Sequence, residues 1–206
     1  MAETFMDKIF DTFDFGEEDK VTTAINIGEY EVASGGDTMV GQRNFKVCLD
    51  CVSKIMGGAE IPMPKTSDID TFMGAMVGYK VSLYEFNDND MKWTPSAPKV
   101  WKDRDQFKVI DNAGDIAPGD IMIVEAHNGN YHGKHATLVS NVSGGVDDKG
   151  FFRGFFSGVD VIHDMGEEFP ITKSHYEWTH LTDGEQSDKN QGNRKFIMAY
   201  RYTGGN

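Results

Sequence analysis

A chain of 206 residues has room for one principal core, at roughly 100–200 residues per domain, and its 39% hydrophobic content with 14 Phe supplies one. This excludes disorder for the chain as a whole. Thirty-three Asp and Glu against 20 Lys and Arg leave a net charge of −13, which excludes duplex nucleic acid and basic attachment to an anionic membrane.

In chain order, Phe5, Met6, Ile9, Phe10 and Phe13 recur at helical spacing. They predict an amphipathic N-terminal helix within residues 1–16, a docking segment for the chain's own core or for a partner. The acidic start lacks the cationic and apolar regions of a signal peptide, and no run reaches the ~18 apolar residues of a membrane span. The expectation is a protein made in the cytoplasm that reaches any other compartment by a separate route. Residues 17–206 are read as one domain with insertions near 79–115 and 182–194. Asp19 to Gly28 reads as a helix, followed by Tyr30 and a loop through Gly35, Gly36 and Gly41. Residues 48–56 place Cys48, Cys51, Val52, Ile55 and Met56 on one helical face, with Gly57-Gly58 as its end. Pro62 and Pro64 exclude helix from the next segment, and Ser67 or Asp68 caps a short helix through Met76.

From about residue 79 the period approaches two. VSLYEF, QFKVI, DIMIVEA, HATLVSNV, GFFRGFFSGV and KFIMAYRY read as strands, the fourth and fifth joined as a hairpin through SGGVDDKG. Helices first and an antiparallel sheet after them make the class α+β.

Two cysteines cannot form a disulfide scaffold, but their C-x-x-C spacing raises redox and zinc readings. A thioredoxin-like site needs a βαβ frame, which is missing. Zinc needs about four ligands, and His127, His132 and His135 form no knuckle-like pair. The acidic pairs Asp88/Asp90 and Asp147/Asp148 read as solvated turns before they read as calcium ligands. Cys51, a helical turn inside an apolar face, reads as core. Cys48 stands at a helix start, where the dipole and open N–H groups favour a thiolate. A thiol that attacks an amide needs an imidazole in reach and an oxyanion donor. His135, opening a predicted strand, is the candidate imidazole.

Five segments carry a resemblance to the papain-like NlpC-type cell-wall peptidases, relatives of the CHAP amidases. INIGEYEVASGG (25–36) resembles the helix end, Tyr and Gly-Gly loop before the family's nucleophile. CLDCVSKIMGGAEIPMPKTS (48–67) is similar to the nucleophile helix and the I-P-x-P segment after it; Pro62 and Pro64 follow Cys48 by 14 and 16 residues. IAPGDIMIV (116–124) resembles the P-G-D strand, HATLVSNV (135–142) the His-initiated strand and KFIMAYRY (195–202) the closing strand. Val47 stands where the family has Asp, and Leu49-Asp50 where it has Ser-Gly.

The resemblance implies a papain-like fold, with N-terminal helices packed on a mostly antiparallel sheet, and a cysteine peptidase or amidase acting on peptidoglycan stem peptides. Cys48 would be the nucleophile and His135 the base. A polar residue on the next strand would orient the His: with a turn near 146–147, Ser157 is nearest and Asp160 next, and His163 lies further along. Tyr30, as a possible oxyanion donor, and Asp50 are the expected substrate-contacting residues. No metal or organic cofactor is implied. Delivery on a phage particle or as an injected effector, with a carrier or an immunity protein as partner, fits the missing leader. The alternative is a non-catalytic binding or structural module, such as a virion component, on the same fold.

Overall fold

The structure is a computed structural model that describes residues 19–34, 48–88, 91–128, 131–146, 152–164, 171–183 and 193–204. The expected N-terminal helix, the glycine loop, Val47, Asp147 and Asp148, and most of the polar loop at 182–194 lie outside these residues.

Three helices come first. Asp19 accepts a hydrogen bond from the Thr22 amide at 2.9 Å and starts α1, Lys20–Ala33. This helix passes through Gly28, its expected end, because Gly28 is where α1 lies against the sheet. A Cβ added there would come within 2.7 Å of Ile162 Cδ1. Helix α2 is Cys48–Gly58. Asp68 accepts from the Thr71 amide at 2.7 Å and caps α3, Ile69–Met76, as its side chain predicts.

The chain then becomes mixed α+β around an antiparallel sheet. Strand β5 is Phe107–Ile110, β6 Ile121–Asn128, β7 Tyr131–Val146, β8 Phe152–His163, β9 Thr172–Glu177 and β10 Asn193–Tyr202. They lie in the order β5-β10-β6-β7-β8-β9. Ahead of β5, the expected strand VSLYEF is divided. Strand β1, Lys80–Val81, pairs with β4, Lys99–Val100, and β2, Tyr84–Asn87, forms a separate hairpin with β3, Lys92–Pro95. Leu83 lies between the two pieces, buried in the main core. Strand β9 and the short helix after it, α4 (Trp178–Asp183), carry too weak an apolar pattern to be anticipated.

Because side chains alternate across a strand, the sheet has two distinct faces. One presents Ile121, Ile123, Ala136, Leu138 and Ile162 to the three helices, where Leu49, Val52, Ile55, Met56 and Phe72 are fully buried. At about 1.5–3 kcal/mol for each large apolar side chain, this contact fixes α2 on the sheet. The other face presents Met122, Val124, Val139, Val159 and Val161 to a second cluster closed by Tyr176, Trp178 and Leu181. Arg194 of β10 lies 5.9 Å from the ring centroid of Tyr176 on β9. Those strands are four ladder steps apart, about 19 Å in a flat sheet. The sheet therefore wraps around this second cluster.

The P-G-D turn is a structural joint. Gly119 has φ 89°, and a Cβ there would come within 2.0 Å of Val21 Cγ1, so no other residue fits. Asp120 is fully buried and accepts from Arg201 of β10 through Nε at 2.8 Å and Nη2 at 2.9 Å, with the Ala117 amide as a third donor. Among the described residues no helix is long and apolar enough to cross a membrane.

Candidate active site

Cys48 is the first residue of α2, and its side chain is carried to the sheet by the apolar packing of Leu49, Val52, Ile55 and Met56 behind it. Its Sγ accepts a hydrogen bond from the backbone amide of Ala136 at 3.2 Å. The sheet explains this contact. Strand β7 pairs with β8 as far as Leu138↔Ile162, and β8 ends at His163. The Ala136 amide lies past the end of that ladder. An interior amide needs an acceptor, and the thiol is that acceptor. The sulfur is thereby held beside the residue that follows His135.

His135 points to the other face of β7 from Ala136, and there it meets His163. Its Nε2 lies 2.9 Å from His163 Nδ1, with the two rings edge to face at 4.9 Å between centroids. His163 Nε2 lies 2.9 Å from Ser174 Oγ on β9. The polar residue against His135 is therefore His163, where Ser157 or Asp160 was expected. The reason is register. A turn near 146–147 would place residue 158 opposite His135, but β7 continues through Ser143 and Gly145 to Val146, and two irregularities shift its pairing with β8. Leu138 faces Ile162 as a result, and the residues near His135 are those at the end of β8. Ser157 lies on β8 six residues before His163, about 20 Å along the strand. Asp160 shares the parity of Ile162 and projects from the opposite face. It accepts from Asn141 Nδ2 at 3.2 Å and pairs with His175 Nδ1 at 2.8 Å.

The electrostatics of the site differ from the expected thiolate. Burial pushes the Cys48 thiol up from its ordinary value. The backbone N–H groups of Ala136, Leu49 and Cys48 itself pull it down, and the Asp164 carboxylate adds to the rise. Desolvation outweighs the helix start, so the resting sulfur is protonated. Burial also lowers His135, to about 3, reinforced by His163 and the Arg194 guanidinium. His163 is lowered to about 4 by burial and then by Arg194. The resting pair is a neutral thiol and a neutral imidazole. Cys51, 1% exposed, is pushed further up by burial and sits in the core, as its helical position predicts.

Tyr30 lies near the end of α1 and is 38% exposed, and Asp50 is half-buried in the first turn of α2. The backbones of His127 and His132 face each other across β6 and β7, but their side chains lie outside the described residues. No group of three or more His, Cys, Asp or Glu among the described residues is arranged to hold a metal ion. Sequence reasoning missed His163 as the partner of His135, and it missed Ser174 and Arg194 altogether. The parity of His163 with Val159 and Val161 was the available signal for the first. No protein-family model, no curated protein and no solved structure matches the chain.

Proposed function

We propose that the protein is a cysteine peptidase or amidase of papain-like, NlpC-type fold that hydrolyses amide bonds in peptidoglycan stem peptides. One observation carries the reaction class. A thiol at a helix start is held against the amide next to a half-buried histidine, and that histidine is backed by a second, buried one. The substrate class rests on the resemblance of residues 25–36, 48–67, 116–124, 135–142 and 195–202 to the family's segments.

The chemistry follows from neutral partners. Nε2 of His135 is engaged by His163, so the thiol proton is taken at Nδ1. The transfer accompanies attack on the carbonyl carbon, as general-base catalysis. The S–C bond forms, and the carbonyl oxygen becomes an oxyanion that the Cys48 N–H helps to bind. His135 then returns the proton to the amine as the C–N bond breaks, and water cleaves the thioester by the same route. Cys48→Ala should abolish release of stem-peptide fragments from purified sacculi, whereas Cys51→Ala should leave it within about twofold, allowing for a modest repacking cost. Release that survives the first change and is lost in the second would overturn the assignment.

The burial of Cys48, at 9% exposure with a raised thiol, favours a second reading: a binding or structural module on the same fold. Under that reading the unaltered protein sediments with sacculi and releases nothing.

A further inference from the structure

The two histidines leave one question of chemistry open, the position of their hydrogens. A neutral imidazole has one donor nitrogen and one acceptor nitrogen. The contacts His135 Nε2 to His163 Nδ1 and His163 Nε2 to Ser174 Oγ can therefore run in only two directions. In the first, His135 donates from Nε2 to His163, and His163 donates from Nε2 to the serine oxygen. His135 Nδ1 is then a bare lone pair. In the second, the serine hydroxyl donates to His163 and His163 donates from Nδ1 to His135. The hydrogen of His135 then sits on Nδ1, which can take no further proton.

We propose that Ser174 is a positioning residue that makes the first direction available: its oxygen accepts the Nε2 hydrogen of His163 and so keeps Nδ1 of His135 open as a base. The proposal rests on the Cys48–His135 reaction described above. The fold supports the assignment. Ser174 is paired with Val161 on the neighbouring strand and so lies on the face of His163, one diagonal step away. It is half-buried, whereas His163 is 1% exposed. A hydroxyl at that boundary can accept from the imidazole and still turn its own hydrogen toward solvent. Without it, a buried N–H on His163 would have no acceptor, which costs enough to reverse the chain of hydrogen bonds. The first direction also suits the reaction. When His135 becomes an imidazolium it faces a lone pair on His163 Nδ1, where the second direction would present an N–H.

The test reads tautomers and turnover separately. In the resting protein, ¹⁵N spectra of the imidazoles should show His135 protonated at Nε2 and bare at Nδ1. Ser174→Ala should move the hydrogen of His135 toward Nδ1 and lower kcat about tenfold with KM within twofold. Ser174→Thr, which keeps the hydroxyl, and Ser174→Asp, which can only accept when ionised, should both retain the Nε2 hydrogen and most of the rate. Thermal melts identify any variant that fails to fold, and Thr and Asp then decide the matter by their spectra. An unchanged His135 tautomer in Ser174→Ala, or loss of the Nε2 hydrogen in Ser174→Thr, would overturn the proposal. Failure of the reaction itself shows elsewhere, as hydrolysis that persists in Cys48→Ala whatever the tautomer.

Discussion

Strand β8 carries two histidine-containing clusters on its two faces, and they differ in almost every respect. On one face His163 is buried between His135 on β7 and Ser174 on β9. On the other, Asp160 holds His175 across the ladder, with side chains 27% and 40% exposed. The Asp–His pair has the composition expected of a catalytic orienting group, yet it projects from the opposite face of β8 to His163 and does not meet His135. The His–His–Ser series has a less obvious composition, and its His135 precedes the residue whose amide meets the Cys48 sulfur. Position on the pleat, set by the register of β8 on β7, decides which cluster meets His135.

The largest expected contrast is catalytic. His135→Ala should reduce fragment release from sacculi by about 10²–10⁴-fold, the scale of a lost general base. His175→Ala should change it by less than about twofold, since exposed ion pairs contribute little. A comparable loss in both variants would remove the distinction between the faces.

The next contrast is in stability. His163→Ala leaves the Nε2 of His135 and the Ser174 hydroxyl without their partner, an expected loss of about 1–3 kcal/mol in urea unfolding. Asp160→Asn should cost roughly 0–1 kcal/mol, because the pair it weakens is open to solvent. Equal losses would show that exposure does not separate the two clusters.

The smallest contrast lies in pH dependence, and its sign follows from the direction of each shift. His135 and His163 titrate near 3 and 4 in the folded chain, down from an ordinary 6.5. Below about 6.5 the unfolded chain therefore binds protons that the native chain refuses, and stability falls as the pH falls toward 4 and then 3. Burial pushes the Asp160 carboxyl up, but its bonds from His175 and Asn141 hold it below its ordinary 3.8 overall. Its contribution is present above that value and is lost only on further acidification. Between pH 6.5 and 4, His163→Gln should flatten the stability profile and Asp160→Asn should leave its slope unchanged. Thermal melts across that range, with an unflattened profile for His163→Gln, would break the assignment of acid sensitivity to the buried cluster.

These differences also mark what the sequence could disclose. Local chemistry was legible wherever one or two residues decide the outcome. Asp68 caps a helix because its carboxylate reaches an orphan amide. Cys48 begins the apolar face of α2, and Cys51 is buried a turn later. Strands β6, β7, β8 and β10 followed from their alternation. Register was not legible, because SGGVDDKG offers several turn positions and each sends a different residue of β8 toward His135. The β9 strand was hidden for another reason. It is an edge strand whose residues are mostly half-buried or exposed, so it lacks the apolar alternation that announces a strand. Ser174 lies on it. The thiol's protonation was misjudged for a third reason: a helix dipole can be read from sequence, but the desolvation that opposes it depends on packing from distant segments.

The strand order β5-β10-β6 has a consequence for assembly. Among the described strands the latest in sequence is an interior one, and β5 has no sheet partner among them until β10 arrives between it and β6. As the chain emerges from the ribosome, β6 through β9 can pair successively, each with its predecessor, while β5 waits. The Asp120–Arg201 pair spans 81 positions of sequence and can close only at that final step. Long-range closure of this kind is slow, and until it occurs the growing sheet presents an unpaired edge on β6 to other chains.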